Sequence, residues 1–172
     1  MNIIETAQLA LREMTESDAA FYLEMLCDPD FRTNIADRGV RTEEAALVSL
    51  RERVFTSYEV HGFGMYLVSR KSDGEAIGMA GLVKRDFLEN VDLGYAFLPR
   101  GRGQGFATEA SRACIELARE QFGIRRLAAI TAPENTASIR VLEKLGFRQV
   151  GRVQFPDDGD LCSHFLLDLP AP

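Results

Sequence analysis

Two histidines and three cysteines are all that this 172-residue chain offers in soft metal ligands and ready nucleophiles. Cys27, Cys114 and Cys162 are odd in number, far apart and in no Cys-x-x-Cys pair, so neither a disulfide framework nor a zinc site is indicated and no metal is expected. His61 and His164 fall on different predicted elements with no ligand pattern nearby and receive no role. Long apolar runs are missing too. Met1 to Ala20 carries Glu5, Arg12, Glu13, Glu16 and Asp18, and is expected to be neither a signal peptide nor a membrane span. Positive charge is in deficit, with a formal net charge of −6 and a pI near 5.0, which disfavours nonspecific nucleic-acid binding. Repeats, low-complexity tracts and long linkers are absent. With 46% hydrophobic residues, a single domain over residues 1–172 and a reducing cytoplasmic setting are expected.

What is present alternates between helical and strand patterns. Ala7 to Glu13 alternates around Leu9 and Leu11 as a strand, and Thr15-Glu16-Ser17-Asp18 reads as a capping box for a helix stopped by Asp28-Pro29. Thr42 is placed to cap a second helix with Leu47, Leu50, Val54 and Tyr58 on one stripe. Strand patterns follow over Phe63 to Arg70, Ala76 to Lys84 and Val91 to Leu98, the first two joined by a hairpin signal at Ser72-Asp73-Gly74. A helix from about Ala107 to Phe122 precedes a fifth strand over Leu127 to Ala132, a short helix from Asn135 to Leu145, and two last strands over Phe147 to Arg152 and Cys162 to Leu169. Asp157-Asp158-Gly159-Asp160 reads as the turn between those strands, since the rest of a calcium loop is missing.

The most informative stretch is Leu98-Pro99-Arg100-Gly101-Arg102-Gly103-Gln104-Gly105-Phe106-Ala107-Thr108-Glu109-Ala110. A strand pattern ends, glycines and arginines follow, and a helix begins. The first amides of a helix lack intrahelical partners and carry the positive end of the macrodipole, so an anion binds there. Glycines let the backbone curl close to it, and Arg100 and Arg102 are expected to reach a flanking phosphate. A Walker loop is excluded because no lysine occurs between Lys84 and Lys144. A dinucleotide fingerprint fails as well: Thr108 stands where its third small residue belongs, and Thr131 and Ala132 stand where its acid belongs.

The second stretch runs from Asn135 through Ser138 and Leu142 to Lys144-Leu145-Gly146-Phe147, with Asn135 as helix cap and Gly146 as its stop. Arg102-Gly103-Gln104-Gly105-Phe106-Ala107 resembles the pyrophosphate loop of the GNAT superfamily of acyl-CoA N-acetyltransferases, Arg/Gln-x-x-Gly-x-Gly/Ala, with a second register starting at Arg100. Asn135 to Phe147 is similar to the family's Asn-x-x-Ser/Ala-x-x-x-Tyr/Leu-x-Lys-Leu-Gly-Phe, at the family's distance downstream. Leu9-Ala10-Leu11-Arg12 and the Thr108-Glu109-Ala110 continuation look like the branch of ribosomal-protein N-terminal (alanine/serine) acetyltransferases. The resemblance covers nearly the whole chain. It implies an α/β fold with a mixed, mainly antiparallel sheet of about six to seven strands, flanked by about four helices and splayed between strands four and five.

It also implies a reaction: attack of a primary amine on acetyl-CoA in a ternary complex. Gly103, Gln104, Gly105, Phe106, Ala107 and Thr108 would hold the pyrophosphate, with Arg100, Arg102 and Asn135 assisting. A backbone amide between Tyr95 and Phe97 would polarise the thioester carbonyl, in a strand that Gly94 would loosen. Asp92 is the first candidate for the base, ahead of Glu89 and Glu109. Many members supply a tyrosine to the departing thiolate from the position that is Leu142 here, which leaves Ser138 as the candidate acid. The acceptor, a protein N-terminus or a small-molecule amine, is not encoded legibly; net acidity leans toward a cationic one by steering. A homodimer stays open. Two other classes remain: a catalytically silent CoA-binding sensor of the same fold, and another kind of nucleotide-binding enzyme.

Overall fold

The computed structural model describes residues 3–172. A hairpin of β1 (Ile3–Glu5) and β2 (Leu9–Arg12) leads into α1 (Ala19–Cys27), α2 (Pro29–Asn34), α3 (Glu43–Ser49), a π-helical turn (Leu50–Phe55) and α4 (Thr56–His61). Then come β3 (Met65–Arg70), β4 (Ala76–Val83), β5 (Val91–Phe97), α5 (Phe106–Glu120), β6 (Arg126–Thr131), α6 (Thr136–Lys144), β7 (Arg148–Gln154) and β8 (Leu161–Asp168). The strands form one sheet in the order β1-β2-β3-β4-β5-β6-β8-β7, in which every neighbouring pair is antiparallel except β5 and β6. This is the mixed, mainly antiparallel α/β sheet expected from the sequence, with eight strands. Because β1 comes first, the strands expected as fourth and fifth are β5 and β6.

Alternation along the strands feeds two cores, one on each face. Val68, Ile77, Leu82 and Leu93 pack with Phe106, Ala110, Cys114 and Leu117 of α5, whose apolar stripe recurs at helical spacing. Leu67 and Met79 pack with Tyr22, Met25, Phe31 and Leu50 of the N-terminal helices. Cys114 is thus a core residue, and burial pushes its thiol up to about 12.

Local signals set the element ends. Arg12 makes a two-pronged ion pair with Asp18 at 2.8 and 2.9 Å, tying β2 to the approach of α1. Asp28-Pro29, read as a stop signal, also starts α2: the Asp28 carboxylate accepts the Phe31 amide at 3.2 Å, and Pro29 occupies the first turn, where no N–H is needed. Thr42 caps α3 through the Ala45 amide at 3.1 Å. The helix continues through the π turn, where the amide and hydroxyl of Thr56 both donate to the Arg51 carbonyl, and Gly62 ends it in the left-handed region. Glu109, one of the acids considered as base, instead clamps the N-terminal hairpin. It accepts from the Thr6 hydroxyl at 2.5 Å and from the amide and side chain of Gln8 at 2.8 Å each.

Among the described residues no helix is long and apolar enough to cross a membrane. The tightest backbone approach in the sheet lies at Gly81, where an added Cβ would meet the Gly64 carbonyl oxygen at 2.0 Å. Neither partner is a flexible side chain, so Gly81→Ala is expected to cost about 2 to 3 kcal/mol, read as a shifted urea midpoint at unchanged slope. An unchanged midpoint would mean that β3 and β4 part without cost.

Candidate functional site

The parallel pair β5 and β6 is joined only at Val91 opposite Leu127 and Asp92 opposite Ala128. Beyond that point β5 stays with β4 as far as Phe97, while β6 follows β8 as far as Thr131. The sheet therefore splits at Asp92. The Leu98 amide donates to the Ile77 carbonyl of β4 at 2.9 Å, so strict alternation turns the Gly94 and Ala96 amides toward β4 and those of Tyr95 and Phe97 toward the split. The expectation that Gly94 loosens this strand needs correction. Gly94 pairs with Gly81 in an uninterrupted register, and the opening lies on the other edge of β5.

At the wide end of the split stands the glycine-rich turn before α5. Gly103 and Gly105 both sit in the left-handed region, with φ of 72° and 79°, which L side chains rarely adopt. Between Arg102, whose amide donates to the Pro99 carbonyl, and Glu109, whose amide donates to Gly105, the amides of residues 103–108 have no protein acceptor among the described residues. Six consecutive unpaired donors at a helix start are a cradle of the kind that suits an anion.

The arginines are placed differently from the expectation. Arg100 does not line the cavity: its guanidinium binds Glu24 at 2.5 Å, Glu75 at 3.1 Å and the Ala76 carbonyl at 3.0 Å. Arg102 does line it, but is held by Asp28 at 2.6 Å, Asp30 at 2.7 Å and the Phe97 carbonyl at 2.9 Å. Both brace the turn against α1, α2 and the sheet, and the amides are left to face an anion. The Gln104 side chain turns back to the Arg100 carbonyl at 3.3 Å, outside the cavity lining. Phe106 packs into the core and, like Ala107 and Thr108, also borders the cavity.

Across the split, Asn135 caps α6 by accepting the Ser138 amide at 3.2 Å. The Ser138 hydroxyl lies 2.7 Å from the phenol oxygen of Tyr95, which also donates to the Ser138 carbonyl at 3.1 Å. Burial pushes the Tyr95 phenol up to about 12, with the Ser138 contact acting against it. Sequence reasoning brought Tyr95 to the site for its backbone and missed its hydroxyl, because 43 residues separate it from Ser138. Leu142 is buried in the core, and Ala137 is exposed and borders the cavity.

Asp92 closes the narrow end. Its residue is 2% exposed; one carboxylate oxygen accepts from Arg85 Nε at 2.7 Å, and the other has no partner among the described residues. Desolvation raises its pKa to about 6, against the pull of the Arg85 charge and hydrogen bond. Glu89 is exposed and outside the cavity lining. A single cavity of about 820 Å³ connects Gly103, Gly105, Ser138, Tyr95 and Asp92. Neither histidine borders it: His61 stacks on Phe63, and His164 lies in the β6–β8 pairing.

Residues 8–148 match the family model described as "Acetyltransferase (GNAT) domain". The chain belongs to the GNAT acetyltransferases. It is an acyl-CoA-dependent N-acetyltransferase, which sets aside other nucleotide-binding enzymes. The uncharacterized protein YkkB of Bacillus subtilis is 32% identical over 145 residues, covering 82% of this chain and 82% of its own length. The uncharacterized N-acetyltransferase YnaD of Bacillus subtilis is 28% identical over 148 residues, covering 86% and 84%. The solved structure of RimL, a ribosomal L7/L12 α-N-protein acetyltransferase in complex with coenzyme A, shares the fold with a TM-score of 0.85 at 18% identity, covering 99% of this chain and 100% of that one.

GNAT domains use acetyl-CoA, and the free amides of the cradle suit its pyrophosphate. Gly105→Val forces a branched side chain into the left-handed region at the start of α5. It is expected to weaken acetyl-CoA binding at least tenfold by calorimetry while leaving the two-state unfolding transition intact. Binding equal to wild type would detach the cradle from the cosubstrate.

Proposed function

We propose that this acetyltransferase moves the acetyl group to a primary amine by direct attack in a ternary complex, with Asp92 as base and the Tyr95–Ser138 pair serving the leaving thiolate. The observation that carries the proposal is the free Asp92 oxygen at the fork of the sheet, in the same cavity as the phosphate cradle. Acetyl-CoA supplies the activated acyl group. The amides of residues 103–108 anchor its pyrophosphate, aided by the helix dipole of α5. The amides of Tyr95 and Phe97 point to where negative charge builds on the carbonyl oxygen, preorganised by their strand.

An alkylammonium has a pKa of roughly 10, so it must lose a proton before attack. Asp92 takes it, directly or through one water, and Arg85 fixes the carboxylate so that the free oxygen keeps its orientation. The amine nitrogen bonds to the carbonyl carbon, the carbon–sulfur bond breaks, and the electron pair leaves with sulfur. The attached nitrogen then sheds its second proton, which the Tyr95–Ser138 hydroxyls relay to that sulfur, leaving a neutral amide and a free thiol. Two hydroxyls at 2.7 Å make up for the absence of one at Leu142, which weakens the alternative of a silent CoA-binding protein.

With Asp92 near 6, kcat/KM is expected to rise with pH through about 6 as the carboxylate ionises, ahead of the amine's own limb. Asp92→Asn removes that limb and lowers the rate most at neutral pH, with partial recovery as rising pH deprotonates the free amine. Stability moves the opposite way. The folded state holds this proton more tightly than the unfolded one, whose pKa is near 3.8, so Asp92's contribution is full below about 4 and lost by about 6. A wild-type pH profile in the Asn variant would remove Asp92 from the mechanism.

Ser138→Ala and Tyr95→Phe are each expected to slow single-turnover transfer by tenfold to a hundredfold, about 1.4 to 2.7 kcal/mol, and to combine with less than additive loss. Transfer at the wild-type rate in both would mean that the thiolate leaves unaided.

A further inference from the structure

Past Asp92 the cavity reaches a wall that carries three arginines from separate segments. Arg38 lies in the loop after α2, Arg53 in the π turn, and Arg85 after β4. Arg85 is paired with Asp92 and stacks over the Phe155 ring at 5.6 Å. The other two are not paired. No carboxylate lies within ion-pair distance of Arg38 or Arg53 among the described residues, and Arg38 Nε is buried without an acceptor. This sets them apart from the bracing arginines of the same protein, since Arg12, Arg70, Arg100, Arg102 and Arg126 each hold a carboxylate at 2.5 to 2.8 Å.

Arg38 is half-buried and Arg53 exposed, and both border the same cavity. Burial lowers the Arg38 pKa, repulsion from Arg53 lowers it further with a smaller push from Arg85, and Tyr22 and the exposed Asp157 oppose these effects weakly. Desolvating a guanidinium beside a like charge is unfavourable unless an anion joins the pair. The other carboxylates bordering the cavity are committed: Asp28 and Asp30 to Arg102, and Asp92 to Arg85. Within the cavity, the source of negative charge left for Arg38 is a bound molecule.

We propose that the acceptor is a small primary amine that itself carries a carboxylate or phosphate, held by Arg38 and Arg53 while the amine faces Asp92. The inference rests on the acetyl-transfer reading of this cavity. A guanidinium presents paired N–H donors that match either anion. The cationic acceptor suggested by the net charge of −6 is disfavoured at this wall, because charge beyond about 8 Å is largely screened at physiological salt, whereas the arginines border the cavity itself. Arg38, Arg53 and Asp92 border one cavity of about 820 Å³, a volume that suits a small molecule held by its anion with its amine inside.

The test uses the full chain with acetyl-CoA and follows thiol release. Acceptors come as twins that keep the amine and change the anion: α- and ω-amino acids with their primary amides, and aminoalkylphosphonates with the matching alkylamines. A polyamine and a peptide with an acidic second residue complete the panel. The anionic twin is expected to show at least about tenfold higher kcat/KM, and the better of the carboxylate and phosphonate series names the anion. Arg38→Gln and Arg53→Gln should raise KM for anionic acceptors about tenfold or more with kcat little changed, and leave the neutral twins as they were. Arg38→Lys should keep part of the preference. Arg38→Gln should match or exceed the wild-type melting temperature, as expected for loss of an unpaired buried charge.

Equal use of both twins, or preference for the polyamine or the acidic peptide, overturns the proposal and leaves acetyl transfer standing. An Arg38→Gln variant that loses both twins alike also overturns it. If no amine releases thiol although acetyl-CoA binds, the transfer reading fails. The anion preference is then read from equilibrium binding of the twins to wild type and Arg38→Gln, and equal affinities refute it.

Discussion

The parting of β5 from β6 after Asp92 is the constraint on which the rest of the molecule depends. Two registers of parallel pairing hold the strands together, and each then follows its antiparallel neighbour. A closed sheet would have spent the Tyr95 and Phe97 amides on β6 and left no room beside Asp92. The split exposes amides of a strand whose other edge is fixed by β4, so the donors are rigid and unspent together. It also lets α6 approach β5 closely enough for Ser138 to meet Tyr95.

Charge is distributed against the sign of the whole. In an acidic protein, the cavity wall gathers arginines from segments far apart in sequence, and the chain answers some of them and not others. Asp28 serves twice, as cap of α2 and as partner of Arg102, so the start of that helix is welded to the glycine turn. A half-buried pair of this kind adds little net stability because its ions lose water, but removing Arg102 strands the buried Asp28. Its value is positional: the cradle is held in one place before any anion arrives.

β2 to β8 and the two glycine-marked helices were legible because their signals are local, whereas β1 and α2 were not expected. Alternation fixed β2 to β5, the apolar stripe fixed α5, and the loop from Pro99 to Thr108 announced an anion site through residues adjacent in the chain. What was hidden depends on distance in sequence. Arg100 and Arg102 read as phosphate ligands because Glu24 and Asp28 lie 76 and 74 residues away. The Tyr95 hydroxyl and the wall containing Arg38 and Arg53 are likewise products of tertiary packing. Asp28-Pro29 carried two messages, a stop and a start, and only the stop was taken. Gly94 was read as an irregularity, yet it sits within regular pairing, since a glycine in a strand also permits close packing, here against Met65.

The far edge of the sheet has a property of its own. β7 pairs on one side only, and all its residues except Val153 are exposed. Val150, half exposed, sits at a register shift between Gln149 and Gly151, and Arg148 and Arg152 flank it. Unpaired strand edges template the addition of further strands from other molecules, and a bulge with flanking cations interrupts that template. Two copies laid edge to edge would bring like charges together across a broken ladder. The last hairpin of the sheet thus resists uncontrolled self-assembly while leaving the opposite side of β8 to hold β6 in place.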